Sequence, residues 1–287
     1  MGVRYLQSVL KQSCSTDAIR KISMSELSNK TIAVDASIYI YKGVGEESLI
    51  ENMLIMLSVF RKYNIRAIFV FDGKPPPHKT NVLRERQKKK KEAEELYNVA
   101  VILGDEGDIQ QLKKQVVRIN SHHVQQVKEL ILACGAEYCI ANGEADEVCA
   151  LLTLNGTAWA CMTEDMDMFL YGCPRILRQL SIYNETVVLN DLHRILSDLE
   201  LNSASEFRDI VISTGLSDCS GCDTGNATFT TLREALKTHT IYDSSYLSNN
   251  IYCDISDVEM PPILGKCNMT KPTSAQDMLY KNGIIIV

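Results

Sequence analysis

Three short apolar runs of the sequence each end in an aspartate: Thr31–Asp35, Ala67–Asp72 and Ala158–Asp165. Such runs, bounded by turn residues, are typical of buried strands in a parallel sheet. Ligands of open α/β sheets bind beyond the carboxyl ends of the strands, and clustered carboxylates repel one another unless a cation lies between them. The three aspartates therefore predict a divalent-metal site, and their oxygen ligands favour Mg²⁺ or Mn²⁺ over zinc.

Two further acidic groups extend this predicted site. Glu144 and Asp146 lie at the predicted start of a helix, where acidic side chains also complement the helix dipole. Asp167 follows Asp165 by two residues, so an extended backbone there would place both carboxylates on one side, although surface turns carry such pairs too. With the strand-end aspartates, these residues supply the several carboxylates that a two-metal site needs to activate water and stabilise the leaving oxygen of a phosphodiester.

A basic segment follows the second aspartate. A rigid turn over Asp72–Pro77 leads into a row of cations: Lys79, Arg84, Arg86, Lys88, Lys89, Lys90 and Lys91. Such a row is often only the solvated face of a helix, and a nuclear-localisation signal is another interpretation. Directly after an active-site strand, however, the cations can meet phosphates and stabilise transition-state charge. The following residues, Leu96 to Asn120, have a helical composition interrupted at Gly104 and Gly107, which predicts a helical cap over the cleft.

The elements that must position these residues alternate between strands and helices, as in βαβ sheets. Helical spacing of apolar residues predicts helices over Glu47–Tyr63, Ser121–Cys134 and Gly143–Leu154. Further strands are predicted over Glu137–Ala141, Arg175–Leu180 and Glu185–Leu189, the last two at the sheet edge. A chain of 287 residues fits one α/β core with a smaller helical C-terminal part.

Composition narrows the classes of protein that fit. The net charge of −6 argues against a protein that coats nucleic acid without specificity. The sequence has no run of about 18 uncharged apolar residues and no basic segment before an apolar one, so we expect no membrane span and no signal peptide. Ten cysteines then indicate buried thiols in a reducing, intracellular compartment. A weaker alternative is a zinc site built from Cys219, Cys222, Cys253 and Cys267.

Five segments together resemble one known family. They are Met1–Leu6, Val34–Ser37, Phe69–Pro76, Gly143–Asp146 and Thr163–Asp167. In order and spacing, to about residue 225, they resemble the successive signatures of the flap endonuclease family of structure-specific 5′ nucleases, in a compact form such as a minimal or viral member. The resemblance implies a PIN-like core over residues 1–200, with a mainly parallel twisted sheet flanked by helices and a helical arch at about 77–120. A small helical C-terminal part would occupy residues 201–287.

The resemblance also implies roles for individual residues. Six carboxylates would bind two Mg²⁺ ions, for which Mn²⁺ can substitute: Asp35, Asp72, Glu144, Asp146, Asp165 and Asp167. A seventh would be Asp218, with Asp223 as the alternative because one residue is inserted before Asp218 relative to the family pattern. Lys79 and Arg86 would engage the scissile phosphate. Tyr41, with Tyr39 as the competing choice, would stack on a nucleobase, and Gly2 would lie near the cleft.

The C-terminal part departs from the family. Residues 220–227 keep two glycines of the family's helix-two-turn-helix but lack its basic residues, so a weaker grip on duplex DNA is expected. Residues 276–281 only begin like a sliding-clamp motif, and clamp binding is not predicted. The expected function is metal-dependent 5′ nuclease action by a monomer near single-strand/duplex junctions of DNA, in replication, repair or recombination.

Alternatives to this function are a 5′→3′ exonuclease of the same superfamily and a non-catalytic DNA-binding scaffold, and RNA primers stay open as substrates. The expected location is the nucleus or, for a viral protein, the host nucleus or a cytoplasmic replication site.

Overall fold

The computed structural model describes residues 5–75, 80–104, 106–113, 115–214, 225–239 and 258–265. These residues form seven strands and ten α-helices. The strands are β1 (Ile19–Ser23), β2 (Thr31–Asp35), β3 (Arg66–Phe71), β4 (Glu137–Ile140), β5 (Ala160–Met162), β6 (Arg175–Ser181) and β7 (Thr186–Asp191). The helices are α1 (Leu6–Ser13), α2 (Ala36–Gly45), α3 (Leu49–Lys62), α4 (Thr80–Leu103), α5 (Glu106–Lys113), α6 (Ser121–Ala133), α7 (Ala145–Leu154), α8 (Leu192–Asp198), α9 (Ala204–Ser213) and α10 (Gly225–Thr238). Two short 3₁₀ helices cover Met24–Leu27 and Met166–Phe169.

The seven strands form one mixed, mostly parallel sheet in the order β1-β7-β6-β5-β2-β3-β4. β5 runs parallel to β2 and to β6, and β4 runs parallel to β3. β7 is antiparallel to both β6 and β1. The predicted α/β class with a mainly parallel sheet is confirmed. The edge strand β1 was not predicted, because only Ile22 of its five side chains is buried, and a strand without a buried apolar run gives little signal in the sequence.

The described residues belong to two compact units. The first comprises the described residues within 1–34, 62–67 and 146–260, and the second comprises those within 35–61, 68–145 and 261–287. In the first unit, the ring of Phe169 packs edge-on against Phe207 of α9, with the ring centroids 6.4 Å apart. In the second, the ring of Phe71 on β3 packs edge-on against Tyr138 on β4 at 5.5 Å. Each unit therefore contains packed apolar side chains of its own. Full burial of a large apolar side chain contributes roughly 1.5–3 kcal/mol.

Three predicted element boundaries differ from those of the structure. The third strand ends at Met162 rather than at Asp165, because hydrogen bonds within residues 163–167 turn the chain out of the sheet. Helix α7 begins at Ala145 rather than at Gly143. Gly104, with a φ of 73°, separates α4 from α5 as expected, but Gly107 lies inside α5 and does not interrupt it.

The C-terminal described segment, residues 258–265, pairs with the sheet at one point. The amide and carbonyl of Leu264 form reciprocal hydrogen bonds with Tyr138 of β4, at 2.7 and 2.9 Å. Much of the predicted C-terminal part over 201–287 lies outside the described residues, so that division stays a prediction. None of the helices within the described ranges is long and apolar enough to span a membrane.

Candidate active site

Asp35 ends β2 and begins α2. It is 6% exposed, and its side chain caps the helix by accepting a hydrogen bond at Oδ1 from the backbone amide of Ser37, at 3.1 Å. An aspartate at this N-cap position satisfies an amide that the helix itself leaves without a partner. The local sequence Asp-Ala-Ser therefore sets both the end of the strand and the orientation of the carboxylate.

Asp72 follows the last residue of β3 and contacts two other elements. Its Oδ2 accepts a hydrogen bond from the hydroxyl of Ser37 at 2.5 Å, and its Oδ1 accepts one from the amide of Ala145 at 2.9 Å. Ser37 thus donates to Asp35 and to Asp72 at once. Because Glu144 directly precedes Ala145, the structure brings the segments that carry Asp35, Asp72 and Glu144 into one hydrogen-bonded network.

Gly73 makes the approach between these segments possible. Its amide donates a hydrogen bond to the carbonyl of Gly143 at 2.8 Å. A Cβ atom on Gly73 would lie 1.9 Å from the carbonyl oxygen of Ala141, a distance that no side chain can adopt. Neither Ser37 nor Gly73 was identified from the sequence as a site residue. The sequence feature that could have identified them is their position after an aspartate at a strand end. Ser37 follows Asp35 by two residues, and Gly73 directly follows Asp72.

Asp165 and Asp167 lie in the segment 163–167, in the first unit. The hydroxyl of Thr163 accepts a hydrogen bond from the amide of Asp165 at 3.2 Å, and Oδ1 of Asp165 accepts one from the amide of Asp167 at 2.9 Å. Asp165 is therefore the N-cap of the 3₁₀ helix Met166–Phe169. An extended backbone was expected to carry both aspartates, but in the structure they lie on either side of a helix start. Asp167 is only 5% exposed.

Asp146, the remaining carboxylate of the predicted set, lies in the first turn of α7. Within the described residues, no group of three or more acidic, histidine or cysteine side chains is arranged to hold a metal ion. The chemistry of the donors nevertheless fits Mg²⁺ or Mn²⁺. They are carboxylates, which hard divalent cations prefer, and Asp35 and Asp167 are buried acids, which are costly to keep charged without a cation nearby.

The basic row on α4 is largely exposed. Arg84, Arg86, Lys88, Lys89 and Lys91 all face solvent, as residues that contact phosphates must. Lys90 differs, because it is half-buried and donates a hydrogen bond to the carbonyl of Val117. Burial lowers the pKa of Lys90. Together with the ion pair between Arg118 and Glu94, this bond ties the middle of α4 to the segment that precedes α6.

The two candidate stacking residues of α2 differ in exposure. The side chain of Tyr41 is 45% exposed, whereas Tyr39 is half-buried. A ring that stacks on a nucleobase needs an accessible face, so Tyr41 remains the better candidate. Gly2, Lys79, Asp218 and Asp223 lie outside the described residues, as do the four cysteines of the zinc alternative. The six cysteines within the described residues form no disulfide: Cys14, Cys134, Cys139, Cys149, Cys161 and Cys173.

The family of this chain follows from comparison with known proteins. Residues 1–93 match the XPG N-terminal domain, and residues 135–223 match the XPG I-region. Together the two matches cover more than half of the chain. Flap endonuclease 1 from Drosophila mojavensis is 32% identical over 225 residues, which are 72% of this chain and 57% of that protein. The chain belongs to the flap endonuclease family.

Another family member, flap endonuclease 1 from Ostreococcus lucimarinus, is 30% identical over 243 residues, covering 78% of this chain and 61% of that protein. The chain thus spans about six tenths of the length of these flap endonucleases. Among solved structures, the catalytic core of Rad2 in complex with DNA substrate has a TM-score of 0.62 at 20% identity, with full coverage of both chains. This likeness confirms the PIN-like fold that the resemblance implied.

Proposed function

We propose that this protein is a metal-dependent, structure-specific 5′ nuclease that hydrolyses DNA phosphodiesters near junctions between single strand and duplex. The observation that carries the proposal is the hydrogen-bonded network in which Ser37 holds Asp35 and Asp72, while Asp72 also holds the turn beside Glu144. A fold that keeps mutually repelling carboxylates close together is best explained by cations that bind between them. The family membership of the chain supports the same conclusion.

The proposed metal ligands are Asp35, Asp72, Glu144, Asp146, Asp165 and Asp167, with Asp218 as the seventh. Two bound Mg²⁺ ions would supply an activated water and charge stabilisation for the leaving 3′ oxygen. Hydrogen bonds from Ser37, Ala145 and the backbone of Asp167 orient three of these carboxylates before any ion binds. Such preorganisation by outer partners keeps the ligands from reorienting during the reaction.

The substrate contacts are assigned to α2 and α4. Lys79 and Arg86 would neutralise charge that develops on the scissile phosphate, and the exposed cations Arg84, Lys88, Lys89 and Lys91 would contact neighbouring phosphates. Lys90 would contribute mainly by fixing α4, because its ammonium already binds Val117. Tyr41 would stack on a base whatever its identity, and Gly2 would lie near the cleft. This arrangement suits a monomeric enzyme that selects DNA by structure, in replication, repair or recombination in the nucleus.

The alternatives are a 5′→3′ exonuclease and a DNA-binding scaffold without activity. A labelled 5′-flap duplex, a blunt duplex and a free single strand, each incubated with Mg²⁺ or Mn²⁺, separate them. We expect cutting near the junction by the wild type and none by Asp165→Asn. Asp17→Asn is the matched control, because Asp17 is 79% exposed and pairs only on the surface with Arg194. Stepwise release of single nucleotides would favour the exonuclease, and binding without cutting in either metal would favour the scaffold.

A further inference from the structure

Glu164 is the one acidic residue of the segment 163–167 that the proposed metal site does not use. Its carboxylate contacts β6 through both oxygens. Oε1 accepts a hydrogen bond from the backbone amide of Gln179 at 2.7 Å, and Oε2 lies 3.6 Å from Nε of Arg178. The segment that carries Asp165 and Asp167 is therefore attached to β6 by a carboxylate that takes no ligand role.

The amide of Gln179 is available to Glu164 because β6 is irregular at this point. The register between β6 and β7 shifts between Arg178 and Ser181, and Gln179 has a φ of 53°, in a region that residues other than glycine seldom occupy. A bulge of this kind takes an amide out of the regular ladder and redirects the neighbouring side chains. Such backbone strain persists only where surrounding contacts hold it in place, and the Glu164 hydrogen bond is one of these contacts.

Arg178 is an unusual residue for the interior of a sheet. Its side chain is only 10% exposed, and Nε and Nη1 have no hydrogen-bond acceptor among the described residues. Burial lowers the pKa of its guanidinium, whereas the charges of Glu164 and Asp165 act in the opposite direction. A buried cation is retained where opposite charges offset its loss of hydration. Here both of those charges belong to the segment 163–167.

Further hydrogen bonds connect the start of this segment to β6 and shape its turn. The amide of Thr163 donates to the carbonyl of Leu177 at 3.1 Å, which aligns the start of the segment with β6. The bonds that follow, from Asp165 to Thr163 and from Asp167 to Asp165, stay within the segment. The contacts of Glu164 with Arg178 and Gln179 attach the segment to β6 at a second point.

We propose that Arg178 and the bulged amide of Gln179 form a clamp on Glu164 that positions Asp165 and Asp167. Arg178 is thus a positioning residue: it acts through Glu164 and touches neither substrate nor metal. The clamp deepens the proposed nuclease function and rests on it for its catalytic consequence. Its structural consequence, a fixed segment 163–167, holds without any metal or DNA.

The first experiment measures amide hydrogen exchange of residues 163–168 in metal-free protein. We expect exchange at least about 10-fold faster in Glu164→Ala and Arg178→Gln than in the wild type, because the segment loses its attachment to β6. Glu164→Gln should show a smaller increase, since its amide oxygen still accepts from Gln179. Arg175→Gln is the matched control. Arg175 lies on the same strand and pairs with Asp191 at 3.3 Å instead, so its loss should leave this exchange unchanged.

The second experiment measures cleavage of the 5′-flap duplex by the same variants at several Mg²⁺ concentrations. Positioning predicts a kcat about 10- to 100-fold lower for Glu164→Ala and Arg178→Gln. It also predicts a higher Mg²⁺ concentration at half-maximal rate and an unchanged KM for DNA. The double variant Glu164→Gln/Arg178→Gln removes the buried charge together with its partner. Its thermal stability should recover towards that of the wild type, while its kcat stays low.

Several outcomes would overturn the clamp. One is exchange in Glu164→Ala and Arg178→Gln that does not differ from the wild type. Another is an equal loss of kcat in Arg175→Gln, which would indicate general weakening of β6. A kcat that recovers together with stability in the double variant would show a structural role only. Glu164 is 38% exposed, so its variants should fold even where Arg178→Gln does not. A wild type that fails to cut would refute the proposed function, and the exchange experiment would still decide on the clamp.

Discussion

Gly73→Ala is the most direct test of how closely the segments around Asp72 must approach. A Cβ atom at this position would lie 1.9 Å from the carbonyl oxygen of Ala141 and 3.0 Å from the carbonyl carbon of Asn142. Both neighbours are backbone atoms, so no rotation of a side chain can relieve the clash. The turn after β3 and the turn before α7 must separate by about 1 Å, because interiors are close-packed and cannot absorb the overlap.

The expected cost follows from this displacement. Overpacking costs about 1–3 kcal/mol, and loss of the hydrogen bond from Gly73 to Gly143 costs about 1 kcal/mol more. A domain of ordinary stability, about 5–15 kcal/mol, still folds after such a loss. Activity should fall further, because a shift of about 1 Å in a catalytic group can cost about 100-fold in rate. The shift would separate Asp72 from the segment that carries Glu144.

The assay combines urea denaturation with the rate of flap cleavage at saturating Mg²⁺. Gly156→Ala is the control, because Gly156 has a φ of 76° and open space where its Cβ would stand. Alanine there costs about 1–2 kcal/mol of backbone strain but displaces no carboxylate. We expect both variants to lose stability and only Gly73→Ala to lose most of its activity. A Gly73→Ala protein with wild-type kcat would refute the argument that this approach positions the carboxylates.

Three further predictions concern single residues. Ser37→Ala removes the hydroxyl that binds Asp72 but keeps the amide that binds Asp35, so metal affinity measured by Mn²⁺ titration should fall about 10- to 100-fold, with a stability loss of only about 1 kcal/mol. Arg86→Gln should lower kcat about 100-fold without changing the melting temperature, because Arg86 is exposed; a parallel loss of stability would contradict this. Burial raises the pKa of the Cys14 thiol to about 12, and the negative charge of Asp198 makes a smaller contribution in the same direction. The stability that the protonated thiol contributes is therefore fully present below the pKa of the thiol in the unfolded chain, and it is lost as the pH rises towards about 12. Above pH ~9, the urea midpoint of the wild type should therefore fall more steeply with pH than that of Cys14→Ala.

The sequence was most informative where local chemistry decides the structure. The apolar run from Thr31 predicted β2 to the residue, since a buried parallel strand leaves little room for polar side chains. The apolar spacing from Ser121 predicted the start of α6, which the side chain of Asn120 caps by accepting a hydrogen bond from the amide of His123 at 2.8 Å. Strand β3 and the glycine break after α4 were equally local. In each case, the residue types within the segment itself indicate the element.

The elements and residues that were missed depend on partners distant in sequence. Nothing near Gly73 indicates that Ala141 will lie against it, and nothing near Gln179 indicates that its amide will bind Glu164. The true start of α7 was missed for the same reason. The predicted helix included residues 143 and 144, but the side chain of Asp72, far away in the sequence, accepts a hydrogen bond from the amide of Ala145 and caps the helix there. Contacts of this type follow from tertiary structure, which a single sequence does not give.

Two of the proposed ligands share one local arrangement. Asp35 is the last residue of β2, and Asp165 lies three residues beyond the end of β5. Each accepts a hydrogen bond from the amide of the residue two positions later, Ser37 or Asp167, at the start of a helix. In both cases the carboxylate caps the helix and is oriented by the helix backbone. The backbone that begins each helix thus also orients the carboxylate for its proposed metal-binding role. The same local pattern therefore supports both the boundaries of the fold and the site proposed at the strand ends.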